Sequence, residues 1–325
     1  MSLPRRRVGT TNVHVTDLGF GCAPIGNLYS EVDDATAFDA VDAAWDAGIR
    51  YFDTAPHYGL GLSERRLGRA LAGRPRDEYV LSTKVGRLLV PNPNPTGSDL
   101  GVGLFAVADT VTRRFDFSGD GIRRSLDSSL ERLGVDRVDI VLIHDPDDHL
   151  DQAIDEAAPA LVELREQGVI SAVGVGMNQW QAPLRMIEEC DLDVVMLAGR
   201  WTLADRTGAP LMDACQSRGI SVFAAAPYNS GLLASDWPPD GANFDYGPAP
   251  RDMVELARQC ARTAARHGAT LPQLAMQFPL RHAATASVVA GMRTPQHVRS
   301  TVERAGARLS PELWAAVEAE ALTRA

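Results

Sequence analysis

Cysteine is scarce and scattered: Cys22, Cys190, Cys215 and Cys260 are the only four in 325 residues. With no C-x-x-C pair and no metal-ligand spacing, they exclude a disulfide framework or a zinc module and read as reduced, mostly buried thiols. No apolar run approaches the ~18 residues of a membrane span, and the N-terminus lacks the charged-then-apolar pattern of an export signal. The expectation is a cytoplasmic protein without a membrane partner. Basic residues are outnumbered, 32 Lys and Arg against 42 Asp and Glu, and the net charge of −10 forms no acidic tail. The one basic run, Arg5–Arg7, reads as isolated surface charge, so nucleic acid is not an expected partner. No G-x-G-x-x-G follows the first strand-like run either, which leaves a Rossmann domain without direct support.

What is present is a rhythm. After a short hairpin, Arg7–Thr10 against Val13–Thr16 across a Gly-Thr-Thr-Asn turn, eight apolar runs alternate with helical patterns. The runs are Leu18–Cys22, Arg50–Thr54, Val80–Lys84, Val138–His144, Ala172–Met177, Val194–Ala198, Ser221–Ala226 and Ser287–Ala290. Between them, Asp33 or Asp34 caps a helix with Phe38, Val41 and Trp45 on one face and Gly48 at its exit. A second helix aligns Ile122, Leu126, Leu130 and Leu133 before Gly134, and a third runs from about Gln152 to Gly168.

Strands separated by helices pair in parallel, because a parallel connection needs a crossover of a dozen or more residues. Eight repeats favour a closed (β/α)8 TIM barrel, which needs about 250 residues, with loop insertions making up the excess in one domain spanning 1–325. Two insertions break the rhythm, 87–118 with its Pro91-Asn92-Pro93-Asn94-Pro95 segment and 231–250. Both follow strands, so both are expected over the barrel mouth, where long loops carry function.

Barrel enzymes place their reactive residues at the carboxyl ends of strands. There stand Asp53, Tyr58 in the loop that follows, Lys84 and His144. A phenol is a poor acid or base near neutral pH, but a neighbouring ammonium group favours its phenolate, and Lys84 is that cation. A lysine on a barrel strand is costly to bury unpaired, and Asp53 on the adjacent strand offsets the cost. His144 then donates a hydrogen bond that orients a substrate oxygen toward Tyr58.

The segment Gly48-Ile49-Arg50-Tyr51-Phe52-Asp53-Thr54-Ala55-Pro56-His57-Tyr58-Gly59, followed by Ser63-Glu64, resembles the aldo-keto reductase signature. Ser82-Thr83-Lys84 and Ile143-His144 are similar to that family's lysine and histidine segments, and the likeness runs from about Gly9 to Arg304. Phe115-Asp116-Phe117-Ser118, Arg137-Val138-Asp139 and His144-Asp145-Pro146-Asp147-Asp148-His149 resemble the aldose, L-fucose, L-galactose and pyridoxal dehydrogenases. The resemblance implies hydride transfer between NAD or NADP and a sugar-like hemiacetal or carbonyl, with a lactone as the oxidised product. It also implies a cofactor extended across the barrel mouth. Gly21, Cys22 and Ala23 would flank the nicotinamide ribose and Asn178 the carboxamide. Ser230, Gly231 and Leu232 would meet the pyrophosphate, and Gly291, Met292, Arg293 and His297 the adenosine end.

Some positions depart from the family pattern. Ala198 stands where many members have a glutamine, Ala225 where an aromatic stacks on the nicotinamide, and Thr301 where an asparagine faces the adenine. Gly291 replaces a lysine of NADP-binding members, which leans toward NAD, although Arg293 offers a cation of its own. His57, Asp147 and Trp201 are the candidate walls of the substrate site. His144, Asp145, Asp147 and His149 carry metal-ligand atoms, but a substrate-facing polar loop is the simpler reading and no metal is expected. A general aldehyde or ketone reductase, or a cofactor-binding regulatory subunit, would use the same residues. Oligomeric state is left open.

Overall fold

The computed structural model describes residues 3–322. Strands β1 (Arg5–Arg7) and β2 (His14–Thr16) form an antiparallel hairpin, Arg5 opposite Thr16. The first strand lies nearer the N-terminus than the sequence suggested, because the chain already turns at Gly9, whose φ is 51°. The hairpin closes the amino end of the barrel: Val8, Val13 and Val15 pack with Ile140, Ala172, Val194 and Phe223, and the Gly9 N–H donates to Ser221 Oγ at 2.8 Å. The arginine run serves this plug, Arg6 donating to the Thr285 carbonyl at 2.8 Å and Arg7 to the Thr11 carbonyl.

Eight parallel strands close the barrel, in the spatial order β3 (Leu18–Gly21), β4 (Tyr51–Asp53), β5 (Val80–Val85), β8 (Ile140–His144), β9 (Ala172–Met177), β10 (Val194–Ala198), β11 (Ser221–Ala225) and β14 (Thr285–Gly291). Every expected run forms a strand. The last one is longer than expected at both ends, where Thr285 pairs with Val222 and Gly291 with Gly21.

Helices α1 (Asp34–Asp46), α2 (Leu62–Leu71), α3 (Gly119–Leu133), α4 (Leu150–Gln152), α5 (Ala158–Glu166), α6 (Gln181–Glu189), α7 (Ala209–Arg218), α8 (Arg251–Arg266), α9 (Leu271–Gln277) and α10 (Pro295–Gly306) occupy the connections and follow the last strand. Asp33 is the cap of α1, its carboxylate accepting from the Thr36 N–H at 2.7 Å. The face that α1 buries is Ala37, Ala40, Val41 and Ala44 rather than Phe38 and Trp45. Small residues let it lie close between barrel and α10, and Trp45 moves to the rim, where the Arg50 guanidinium covers its ring at 3.8 Å. The helix expected over 152–168 is interrupted: one π turn, Ala153–Ala157, separates α4 from α5. Pro159 lies at the start of α5 and has no N–H to continue the ladder, which accounts for the break.

Both insertions have structure of their own. Residues 87–118 hold an antiparallel pair, β6 (Arg87–Pro91) with β7 (Val111–Phe115), and 231–250 hold β12 (Asn243–Phe244) with β13 (Gly247–Pro248). Asp245 and Tyr246 turn the second pair with φ of 49° and 64°, the mirror-image turn that suits strand twist. Helix α11 (Pro311–Leu322) packs against α8 around Val254, Ala257, Leu313, Trp314 and Val317, a second core outside the barrel. Among the described residues, no helix is long and apolar enough to cross a membrane.

Candidate active site

Parallel pairing of β4 with β5 sets Asp53 beside Ser82, two residues before Lys84, so both charged side chains emerge at the same barrel end. Lys84 Nζ donates to Asp53 Oδ2 at 2.7 Å, to the Thr54 carbonyl at 3.0 Å and to Tyr58 Oη at 3.1 Å. All three donor positions of the ammonium are thereby used. The other Asp53 oxygen accepts from Ser82 Oγ at 2.7 Å. Lys84 and Asp53 are each only 2% exposed. Burial opposes the charge on Lys84, but Asp53 and Tyr58 outweigh it and hold the amine above its usual range. For Tyr58 the balance is different: burial pushes the phenol up, Lys84 pulls it down, and the net direction is upward. The cation limits the rise rather than reversing it.

The loop that presents Tyr58 is fixed by close backbone contact. Gly59 has φ of 61°, and a Cβ there would meet the Gly26 carbonyl oxygen at 2.2 Å. Ser63 and Glu64 explain the rest of the motif. Ser63 Oγ donates to the Cys22 carbonyl at 2.8 Å and lies 2.9 Å from Thr54 Oγ1. Glu64, fully buried, accepts from Thr83 Oγ1 at 2.8 Å and Arg132 Nε at 2.5 Å. These bonds lock the start of α2 to three strands and to α3.

His144 ends β8 with its ring centroid 5.9 Å from that of Tyr58. Burial, with Arg87 and Lys84 nearby, pushes its pKa well below the ordinary histidine range, so it is a neutral hydrogen-bond donor. His57 is neutral for the same reason, pushed down to about 2 by burial, Arg87 and Arg113. Its tautomer follows from geometry: Arg113 Nε donates to His57 Nδ1 at 2.7 Å, which leaves the proton on Nε2. Arg113 in turn is held by Asp99, NH2 to Oδ2 at 2.7 Å, and Asp99 is 3% exposed. Arg87 NH2 donates to Asp145 Oδ2 at 2.5 Å, and that oxygen lies 3.5 Å from His144 Nε2.

These groups line a cavity of about 590 Å³ at the carboxyl end of the barrel. Asp53, Tyr58, Lys84, His144 and His57 share it with Gly21, Ala23, Asn178, Ser230, Gly231 and Gly291. Other expected contacts lie elsewhere. Cys22, Leu232 and Met292 are fully buried in the apolar cores and present no side chain to the cavity. Arg293 donates to Ser30 Oγ, and His297 is exposed in the first turn of α10, its N–H donating to Thr294 Oγ1 at 3.1 Å. Asp147 is exposed and accepts from Gln179, while Trp201 packs against Phe278 with ring centroids 5.4 Å apart. His149 stacks on Phe115 at 5.7 Å, away from His144, and no metal-holding group of three or more His, Cys, Asp or Glu is found among the described residues. Arg87, Asp99, Phe105 and Arg113 were missed in the sequence because the insertion 87–118 carries all four; Asp145 was read there only as part of the polar loop that follows His144.

The sequence profile of the aldo/keto reductase family matches residues 17–321. The chain belongs to the aldo/keto reductase family. It is 43% identical over 319 residues to D-threo-aldose 1-dehydrogenase from a Pseudomonas species, covering 97% of each chain. It is 37% identical over 342 residues to pyridoxal 4-dehydrogenase from Microbacterium luteolum, covering 98% of this chain and 97% of the other. The holo form of an aldo-keto reductase from Bacillus halodurans superposes with a TM-score of 0.80 at 26% identity, covering 98% of this chain and 96% of that one. Membership makes the chain an NAD(P)-dependent oxidoreductase of the aldose and pyridoxal dehydrogenase branch.

The cavity fits such a cofactor. Six of its lining residues, Gly21, Gly103, Gly176, Gly199, Gly231 and Gly291, have no side chain, so an extended ligand can lie against backbone. Asn229, Ser230 and Gly231 are successive residues of positive φ, at 44°, 56° and 99°, in a tight turn whose Asn229 and Gly231 N–H groups donate to the Ala226 and Tyr228 carbonyls at 3.0 Å each. Asn229 Oδ1 is buried without a partner beside them.

Proposed function

We propose that this enzyme is an aldose 1-dehydrogenase, oxidising the cyclic hemiacetal of a sugar to its lactone, with NAD preferred over NADP. The observation that carries the reading is Lys84 Nζ bridging Asp53 at 2.7 Å and Tyr58 at 3.1 Å beside a neutral His144. The nicotinamide, when bound, supplies the acceptor for the hydrogen and electron pair leaving the anomeric carbon. Tyr58 Oη, in its minor phenolate form, takes the proton of the anomeric hydroxyl, and Lys84 stabilises that form against the upward push of burial. Asp53 keeps the lysine charged, so the cation remains in place throughout. His144 donates a hydrogen bond to the same substrate oxygen and holds it toward Tyr58. In the reverse direction the Tyr58 phenol returns the proton to a carbonyl oxygen.

On the cofactor side, Ala23, Asn178, Ser230 and Gly231 are assigned to the nicotinamide and pyrophosphate, all lining the cavity. The preference for NAD rests on Gly291, which offers no cation for a 2′-phosphate, and on Arg293 being engaged with Ser30. The four free thiols suit a reducing compartment, which supports a cytoplasmic location. Initial rates with NAD and NADP against aldoses, pyridoxal and plain aldehydes test the reading. It requires aldose oxidation with lactone formed, and a higher kcat/KM for NAD. Pyridoxal or plain aldehydes as the only substrates would refute it.

A further inference from the structure

The mouth beside His144 holds a pair of charges that the proton relay does not use. Arg87 and Asp145 line the cavity with side chains only 12% and 17% exposed, joined by a single contact of 2.5 Å. Much of their hydrogen-bonding capacity is left over. Arg87 Nε is buried without a partner, and among the described residues Asp145 makes no side-chain hydrogen bond through Oδ1. Asp145 also has φ of 41°, a left-handed conformation that carries a backbone cost outside glycine. Its N–H is fastened to the Gly176 carbonyl at 3.0 Å. The cost is borne where the carboxylate faces the cavity beside the reacting groups.

The charges decide what this place can take. An anion suits the guanidinium but meets the Asp145 carboxylate, and an ammonium group meets Arg87; in each case one buried charge repels it. His57 and His144, next to the pair, are both neutral, and the Lys84 ammonium in the same cavity is matched by Asp53. A neutral ligand with donors and acceptors on adjacent atoms satisfies all of them. Vicinal hydroxyls have that character: each can donate to Asp145 while accepting from Arg87 or from the Nε2–H of His57. Phe105, 2% exposed and with its ring centroid 5.3 Å from that of His57, supplies an apolar wall for the C–H face of such a ligand.

We propose that Arg87, Asp145 and His57 form a subsite for a vicinal diol of the sugar, next to the carbon that reacts. This rests on the aldose dehydrogenase reading for its substrate, but it predicts binding that needs no turnover. The pair then selects hydroxylated pyranoses over plain aldehydes, through bonds that the aldehydes leave unmade.

The test is calorimetric titration of the cofactor-loaded enzyme with 1,5-anhydroalditols of gluco, galacto and fuco configuration. These are sugar rings that lack the anomeric hydroxyl. The wild type is expected to bind at least one of them, and Asp145→Asn to weaken that binding by about tenfold or more, the equivalent of one charge-assisted hydrogen bond. Asparagine adopts the left-handed backbone as readily as aspartate, so the substitution adds no strain to the loop. Arg87→Lys, which keeps the charge but loses the fork, is expected to weaken it in the same direction. Retained cofactor binding by each variant shows that it is folded. Absence of binding to the wild type, or equal binding by wild type and Asp145→Asn, overturns the subsite. Asp145-dependent binding without aldose oxidation by the wild type would instead retain the subsite and overturn the assigned reaction.

Discussion

Arg113 holds His57 by two bonds, Nε to the ring Nδ1 at 2.7 Å and NH2 to the backbone carbonyl at 3.0 Å, with Asp99 behind it. A residue of the long insertion thus fixes the tautomer and position of a side chain next to Tyr58. Arg113→Met frees the imidazole and leaves Asp99 buried without its cation. Urea denaturation is expected to show a loss of about 3–5 kcal/mol. If the variant folds, KM for the sugar should rise more than kcat falls, since the role proposed for His57 is to bind substrate without taking a proton.

The same reasoning applies with more force to Lys84. Lys84→Met strands Asp53, 2% exposed, and removes the group that counters the upward push on the Tyr58 phenol. Stability falls by about 3–5 kcal/mol. Aldose oxidation, which needs the phenolate, is expected to drop about 100-fold or more at neutral pH. Its alkaline rise should also move to higher pH, and a pH–rate profile of the variant checks the direction.

Acid behaviour belongs to Asp145. Burial pushes its carboxyl up to about 6, against the opposing pull of Arg87 and Lys84 and with a further upward push from Asp147; the neighbouring His144 is neutral. Only the ionised form accepts two hydroxyl donors, so sugar KM is expected to fall as pH rises through about 6. His57 and His144 are neutral on both sides of that range, which removes the usual source of a limb there. The limb should vanish in Asp145→Asn; a limb that survives this substitution would assign it to another group.

Gly59 tests the scaffold rather than the chemistry. Gly59→Ala adds a Cβ 2.2 Å from the Gly26 carbonyl oxygen and imposes a left-handed φ on alanine. A loss of about 2 kcal/mol or more is expected from overpacking and strain together. Thermal unfolding measures it, and lowered kcat in the folded fraction would report a displaced Tyr58 loop.

Much of this molecule is legible in its sequence for a physical reason. The barrel strands are continuous apolar runs, buried on both faces, so pattern and fold agree. Asp53, Lys84 and His144 end such runs, and their convergence follows once the barrel closes. Of the candidate substrate walls, His57 lines the cavity, being anchored one residue before Tyr58, but the other two were not legible. Trp201 and Asp147 had suitable chemistry, but their orientation depends on loop backbone, and the Trp201 side chain turns into the packing with Phe278. Arg87 and Arg113 sit on a hairpin, Arg-Leu-Leu-Val-Pro against Val-Thr-Arg-Arg-Phe, in which apolar and polar residues do not alternate, so no strand period marks them. The break before Pro159 and the alanine face of α1 were written in the sequence but obscured by larger apolar neighbours.

The central claim is that Tyr58 moves the substrate proton. The most direct measurement is kcat for aldose oxidation by Tyr58→Phe, alongside cofactor affinity from nicotinamide fluorescence. The phenyl ring keeps the packing against Phe105 and His144, whose centroids lie 6.0 Å and 5.9 Å away. Cofactor binding should therefore persist while kcat falls by about 10²–10⁴-fold. Turnover close to wild type with the cofactor bound would contradict the account.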